Sequence, residues 1–201
     1  MPTQQQSPLY SEYRRRFSFS DMYRSLLHMP SAIGNLKKNR KSQALDSKFI
    51  ERIMLAVTEV NGCAICSYAH TRMALREGLT EEEIADLLNG DTQTISPYEA
   101  KAIAFAQHYA DTRGYPDKDA IESLSAFYGP IKTASIISAI QVIMVGNMYG
   151  IPYSAFVSRL RGKPYKNSSF GYEISMLAFG LISMPVAFIH GLVRATFEHR
   201  R

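Results

Sequence analysis

The chain has 201 residues, of which 46% are hydrophobic and 20% are charged. That length is sufficient for one folded domain with a buried core, and the composition excludes a disordered or fibrous protein. The net charge is +5, with Lys and Arg concentrated in short runs near the two ends. No helix-turn-helix, zinc-finger or RNA-binding motif accompanies these runs, so we expect no specific binding to nucleic acid.

The N-terminal segment does not resemble a secretory signal. It begins with polar residues, and the basic run 14–16 is followed by no long apolar segment. We therefore expect a cytoplasmic protein. In that compartment a close pair of cysteines is more often catalytic or metal-binding than a structural disulfide.

Capping and turn residues predict a series of helices and no strands. Asp46 is the expected N-cap of the first of these helices, which Asn61 and Gly62 end. Thr80 and Glu83 form a capping-box pattern, and Ser96 before Pro97 is the expected N-cap of a later helix. No segment shows the sustained alternation of a β-strand, so the predicted fold class is all-α. The predicted helices are 47–60, 63–77, a short helix from the Thr80 cap to about 89, 97–112, a short helix after Asp117, and a long helix over 131–149.

We expect three parts along the chain: an N-terminal helical arm (1–45), a helical domain carrying the site (46–165), and an apolar helix with a basic tail (166–201). The twenty residues 174–193 contain no Asp, Glu, Lys or Arg, and twenty is about the minimum for a membrane span. A helix that is apolar on every side must be buried in protein or in lipid. We favour burial at a subunit interface, with membrane association through 174–193 as the alternative.

The only two cysteines, Cys63 and Cys66, form a C-x-x-C pair, and His70 follows four residues later. On a helix these three side chains fall within an arc of roughly 60°. The preceding Asn-Gly places the pair in the first helical turn, where free N–H groups and the helix dipole stabilise a thiolate. The pattern indicates a redox-active dithiol. The competing interpretation is a zinc site formed by Cys63, Cys66, His70 and Glu51, although no second Cys/His pair is present.

A buried glutamate on the preceding helix can act as a proton relay. Glu51 lies twelve residues before Cys63, and Glu59 lies four residues before it. Helical periodicity alone does not choose between the two. The surrounding residues are apolar nearly all round, which indicates a buried helix in which an inward carboxylate has a chemical purpose.

Glu51, eleven intervening residues, Cys63, Cys66 and His70 match the E-x11-C-x-x-C-x-x-x-H pattern of the alkylhydroperoxidase D branch of the carboxymuconolactone decarboxylase family. The chain resembles that branch clearly over about 46–89 and more loosely to about 160. The resemblance implies an all-helical bundle that assembles into a homo-oligomer, a trimer or hexamer, and uses no cofactor. The extra apolar helix at the C-terminus is an addition to that bundle.

The same resemblance implies a thiol-dependent peroxidase or disulfide oxidoreductase. Cys66 would attack a hydroperoxide, Cys63 would resolve the product, and Glu51 and His70 would relay protons. A lipoyl or thioredoxin-like dithiol would be the reductant. One departure is Ile65, which stands where some members carry a histidine.

Several interpretations stay open beside the peroxidase. One is a zinc-binding or non-catalytic member of the family, and another is a decarboxylase or lactone-acting enzyme, a branch that does not need a cysteine pair. The helix end favours the first cysteine as the attacking sulfur, whereas the i to i+4 spacing of His70 favours Cys66. Tyr149 and Tyr153 are interpreted as core residues.

Overall fold

The structure is a computed structural model that describes residues 12–90 and 95–198. Residues 1–11 of the predicted arm and 199–201 of the basic tail lie outside the described part. Within it the chain is helical and contains no strand, which confirms the all-α prediction. The helices are α1 (Phe19–Ser42), α2 (Ser47–Asn61), α3 (Ala64–Arg76), α4 (Glu81–Asn89), α5 (Pro97–Asp111), α6 (Lys118–Leu160) and α7 (Phe170–Glu198).

Three of the predicted helix starts are confirmed by their capping hydrogen bonds. The side chains of Asp46, Thr80 and Ser96 each accept a hydrogen bond from the backbone N–H three residues further on. At Thr80 the carboxylate of Glu83 accepts the return bond from the Thr80 N–H at 2.7 Å, which completes the capping box. These side chains accept hydrogen bonds from backbone N–H groups that have no partner within the helix at its start.

The start of α3 differs by one residue from the prediction. Cys63 is not the first helical residue but the N-cap, with an extended backbone (φ −92°, ψ 101°), and its sulfur accepts a hydrogen bond from the Cys66 N–H at 3.3 Å. Gly62 ends α2 in the left-handed conformation (φ 70°), which glycine adopts without steric cost. The cysteine sulfur therefore occupies the position that Ser or Asp usually fills at a helix start.

α6 joins the short helix predicted after Asp117 to the long helix predicted over 131–149, and it extends beyond the prediction at its C-terminal end. It begins at Lys118, is interrupted at Gly129 (φ 74°, ψ 167°), and continues to Leu160 rather than ending near Tyr149. Its buried residues extend from Leu124 to Ala155, and it packs against α1, α2, α3, α5 and α7. Tertiary packing of this kind supports helix beyond the point at which local sequence signals stop.

The core lies around α2 and the second part of α6. α2 packs against α3, α4, α5 and α6, while α1 packs against α6 and α7. Fully buried apolar side chains from α2, α5 and α6 meet there, among them Ile53, Leu55, Ile103, Ile140 and Met144. This packing fixes α2 and α6 on two sides of α3, which carries the cysteine pair.

α7 buries one narrow face and exposes the rest. Its buried residues recur three or four apart and are Glu173, Met176, Gly180, Ser183, Ala187 and Gly191. Within the described residues two helices are long and apolar enough to cross a membrane, by length and composition only: α6, whose apolar window is 67% buried, and α7, whose window is 28% buried. The burial of α6 is that of a core helix, whereas α7 presents large apolar side chains to the outside.

Candidate functional site

The two cysteines form a disulfide across the first turn of α3. Cys63 is completely buried and Cys66 is 8% exposed. Since the structure holds the pair in its oxidised form, the two sulfurs are within reach of one another without movement of the backbone. The pair has the geometry that a dithiol–disulfide cycle requires.

Two glycines of α6 allow the backbone of that helix to approach the disulfide. The Cys66 sulfur lies 3.6 Å from the Gly146 carbonyl oxygen. A Cβ placed on Gly150 would lie only 2.5 Å from the Cys63 sulfur and 2.7 Å from the Cys66 sulfur. Any side chain at position 150 would therefore displace either the helix or the sulfurs. No local pattern indicates this role, because a glycine inside an apolar helix has many explanations.

His70 on α3 is joined to Glu51 on α2. Its Nδ1 atom lies 2.8 Å from Glu51 Oε2, and the two side chains are 15% and 8% exposed. Glu59 instead pairs with Arg14 at 3.0 Å near the surface. Of the two glutamates left open by the sequence, the structure brings Glu51 to the histidine. A carboxylate on one imidazole nitrogen fixes the ring and leaves Nε2 for a second partner.

A cavity of about 400 Å³ opens beside the disulfide. Cys66 and His70 line it, and Cys63 does not. The remaining wall is largely apolar and comes from Ile65 and Ala69 of α3, from Ile143, Gly146, Tyr149, Gly150 and Tyr153 of α6, and from Leu177 of α7. The cavity therefore exposes one sulfur of the pair and the Glu51-bound histidine to the same space.

Tyr149 and Tyr153, interpreted from the sequence as core residues, both line this cavity. The Tyr149 hydroxyl is buried and has no hydrogen-bond partner among the described residues. Burial raises the pKa of Tyr149, so the phenol stays protonated. A Cβ on Gly180 would lie 2.5 Å from the Tyr149 ring, so a glycine of α7 also makes room for a cavity residue.

Arg52, the neighbour of Glu51, ties α2 to two other helices. Its guanidinium lies 2.5 Å from Glu83 on α4 and 3.1 Å from Glu99 on α5. The backbone N–H of Thr80 and the guanidinium lower the pKa of Glu83, whereas burial raises the pKa of Glu99 despite Arg52. This network holds the helix that carries Glu51. Nothing in the spacing of the sequence indicated it.

The described residues contain no group of three or more His, Cys, Asp or Glu side chains arranged to hold a metal ion. The four residues of the zinc interpretation are instead paired two by two. Cys63 is bonded to Cys66, and Glu51 is hydrogen-bonded to His70.

Comparison with known proteins gives one family. Residues 28–108 match the model of the carboxymuconolactone decarboxylase family. This region runs from the middle of α1 into α5 and contains Glu51, Cys63, Cys66 and His70. No curated protein and no solved structure gives a significant match. The match supports the family resemblance over less than half of the chain and does not distinguish the branches of that family.

Proposed function

We propose that this protein is a thiol-dependent oxidoreductase that reduces hydroperoxides with the Cys63–Cys66 dithiol. The observation that carries the proposal is the cavity in which Cys66 and the Glu51-bound His70 meet. The similarity of residues 28–108 to a family that includes peroxidases and decarboxylases supports an enzyme. A decarboxylase would have no use for the dithiol, and no feature of the cavity favours that activity over the peroxidase.

In the first step the Cys66 thiolate attacks the terminal oxygen of the hydroperoxide. An S–O bond forms as the O–O bond breaks, so Cys66 is oxidised to the sulfenic acid and the peroxide is reduced to an alkoxide. The alkoxide takes a proton from His70 and leaves as the alcohol. Glu51 is hydrogen-bonded to the other ring nitrogen of His70 and so holds the imidazole in place.

In the second step Cys63 attacks the sulfur of the Cys66 sulfenic acid. The S–S bond forms, and hydroxide leaves and is protonated to water. The product is the disulfide observed in the structure. An external dithiol, lipoyl or thioredoxin-like, then supplies two electrons and two protons and is itself oxidised to a disulfide.

The helix cap favours Cys63 as the attacking sulfur, whereas access from the cavity favours Cys66. We give access the greater weight. Cys63 receives the hydrogen bond of the Cys66 N–H, which stabilises its thiolate. However, Cys63 is completely buried and does not line the cavity. Since a peroxide must reach the attacking sulfur, we assign the attack to Cys66, in agreement with the family resemblance.

We further propose that the enzyme is a cytoplasmic homo-oligomer in which copies meet through the exposed face of α7. The exposed side of this helix carries Leu181, Ile182 and Ile189, each at least 64% exposed. Along its other side lies the polar helix α1, with Phe19 stacked on Phe179 at 4.6 Å. Because α1 carries charged residues such as Arg24 and Lys37, lipid cannot surround α7 in this arrangement. A second copy of the chain can cover the apolar side of α7 while the other side stays packed against α1.

Stopped-flow oxidation of the fully reduced protein tests the proposed activity. Hydrogen peroxide and an alkyl hydroperoxide are mixed with the dithiol form, and free thiols are counted before and after. We expect two thiols to be consumed for each peroxide. Thiols that survive excess peroxide, together with stoichiometric zinc in the purified protein, would overturn the proposal in favour of the metal site.

A further inference from the structure

A second, larger cavity of about 800 Å³ adjoins the disulfide cavity. The two cavities share Ile65 and Tyr153 as lining residues. Beyond these two, the walls contain apolar and aromatic groups, including Tyr68 of α3 and Val157 of α6. We call this second cavity the side groove. It extends the reaction cavity along α6 and away from the sulfurs.

The far end of the side groove is basic. Arg161 and Lys163 line it, and none of its lining residues is Asp or Glu. Neither cation forms an ion pair with a described residue. Lys163 is fixed by a turn in which the Ser158 hydroxyl donates to the Lys163 carbonyl oxygen at 2.5 Å and the Lys163 N–H donates to the Ser158 carbonyl oxygen at 2.9 Å. The groove thus ends in two cations that no described acidic side chain neutralises, and one of them lies on a hydrogen-bonded turn.

The distance from the sulfurs to these cations can be taken from the length of one face of α6. Gly150, Tyr153, Val157 and Arg161 are spaced three or four residues apart and therefore share that face. Gly150 abuts the disulfide. At a rise of 1.5 Å per residue, the eleven steps from residue 150 to residue 161 correspond to about 16.5 Å. An extended hydrocarbon chain of roughly a dozen carbon–carbon bonds spans this distance.

We propose that the side groove binds the carboxylate end of a fatty-acid hydroperoxide whose peroxide group lies at Cys66. The hydrocarbon chain packs along Ile65, Tyr153 and Val157, and the carboxylate pairs with Arg161 and Lys163. This inference rests on the proposed peroxidase activity for the peroxide group, although binding of the fatty acid itself does not. An apolar channel with cations at one end matches a single long-chain anion better than a small neutral peroxide.

Binding is measured first on the oxidised protein, which needs no chemistry. Calorimetric titration with linoleate below its micelle concentration is compared in wild type, in the double variant R161Q/K163Q and in the control R76Q/K118Q. The control removes the same charge from exposed positions at the end of α3 and the start of α6. We expect the groove variant to bind about tenfold more weakly, because each exposed ion pair contributes little by itself, and the control to bind as wild type does. Equal affinity in all three proteins, or no binding to wild type, would overturn the inference.

Selectivity is then measured on the reduced protein with a linoleate hydroperoxide and its methyl ester. We expect the ratio of kcat/KM for the acid to that for the ester to fall about tenfold in R161Q/K163Q. If both substrates oxidise the thiols and the ratio does not change, the groove does not select the carboxylate and the inference fails. If the fatty acid binds and needs Arg161 and Lys163, but no peroxide oxidises the thiols, the binding site stands and the peroxidase is wrong.

Discussion

The site is divided between two regions that contribute in different ways. α2 and α3 carry the groups that react in the proposed mechanism, namely Glu51, Cys63, Cys66 and His70, and these lie in the region that matches the family. α6 and α7 lie outside that region and supply the walls, largely through residues without reactive groups such as Gly150 and Leu177. In the proposed function, therefore, the reacting groups come from the first region and much of the substrate-binding wall comes from the second. Substitutions in the first region should affect every substrate, and those in the second should affect fit, stability or assembly.

The largest effect is expected from the cysteines. Cys66→Ser should abolish turnover and leave no sulfenic acid for a dimedone-type probe, because the sulfur that attacks the peroxide is gone. Cys63→Ser should still form the probe adduct but stop there, since nothing resolves it. Mass spectrometry of the adduct distinguishes the two variants. An adduct in Cys66→Ser and none in Cys63→Ser would reverse the assigned roles.

The next effect concerns the proton relay on α2. Glu51→Gln should lower the rate of thiol oxidation about a hundredfold, the lower range for loss of a general acid–base group, and should flatten its dependence on pH. Glu59→Gln is the matched control, because Glu59 pairs with Arg14 near the surface instead. Circular dichroism checks that both variants keep their helicity. A loss in Glu59→Gln without one in Glu51→Gln would show that the wrong glutamate was chosen.

A smaller effect, in the second region, is expected at the glycines of α6. Gly150→Ala places a Cβ 2.5 Å from the Cys63 sulfur, and overpacking of this kind costs about 1–3 kcal/mol in free energy of unfolding. At Gly146 the nearest atom to a new Cβ is 3.7 Å away, so Gly146→Ala should be neutral or stabilise by up to about 1 kcal/mol through helix propensity. Urea unfolding of the oxidised proteins measures both. Equal changes in the two variants would mean that α6 does not press on the disulfide.

The smallest effect on chemistry is expected on the outer face of α7. The triple variant L181Q/I182Q/I189Q should break the assembly into smaller species in sedimentation while thiol oxidation continues, because these side chains face away from the cavity. Ile131→Gln is the control, since Ile131 is 69% exposed on a different helix. A wild-type protein that is monomeric, or that pellets with membranes and needs detergent, would contradict the subunit-interface interpretation.

The sequence was a good guide to the first region because its signals there are local. The N-caps Asp46, Thr80 and Ser96 act within one turn, and all three are confirmed. The one-residue error at Cys63 arose because a cysteine is rarely a cap, so its sulfur was placed inside the helix. The choice of Glu51 over Glu59 came from the family pattern alone. Helical periodicity could not make it, because it does not say which neighbouring helix a face meets.

The second region was predicted less well because its determinants are long-range. The continuation of α6 through Pro152 to Leu160 depends on packing against other helices, which no local signal records. Tyr153 was interpreted as core, yet it is 46% exposed and lines both cavities. The spacing of a tyrosine along a helix does not distinguish a core position from a position in the wall of a binding site. The close approach of Gly150 to the two sulfurs likewise depends on how α3 packs against α6.

The capping of α3 by Cys63 makes the backbone at the start of that helix sensitive to the oxidation state of the pair. The Cys66 N–H donates to the Cys63 sulfur, and a thiolate is a far stronger acceptor than a disulfide sulfur. Reduction should therefore tighten this one hydrogen bond, slow hydrogen exchange at the Cys66 amide and move its NMR resonance. The NMR resonance and the exchange rate of the Cys66 amide should therefore report the redox state of the pair in the intact protein.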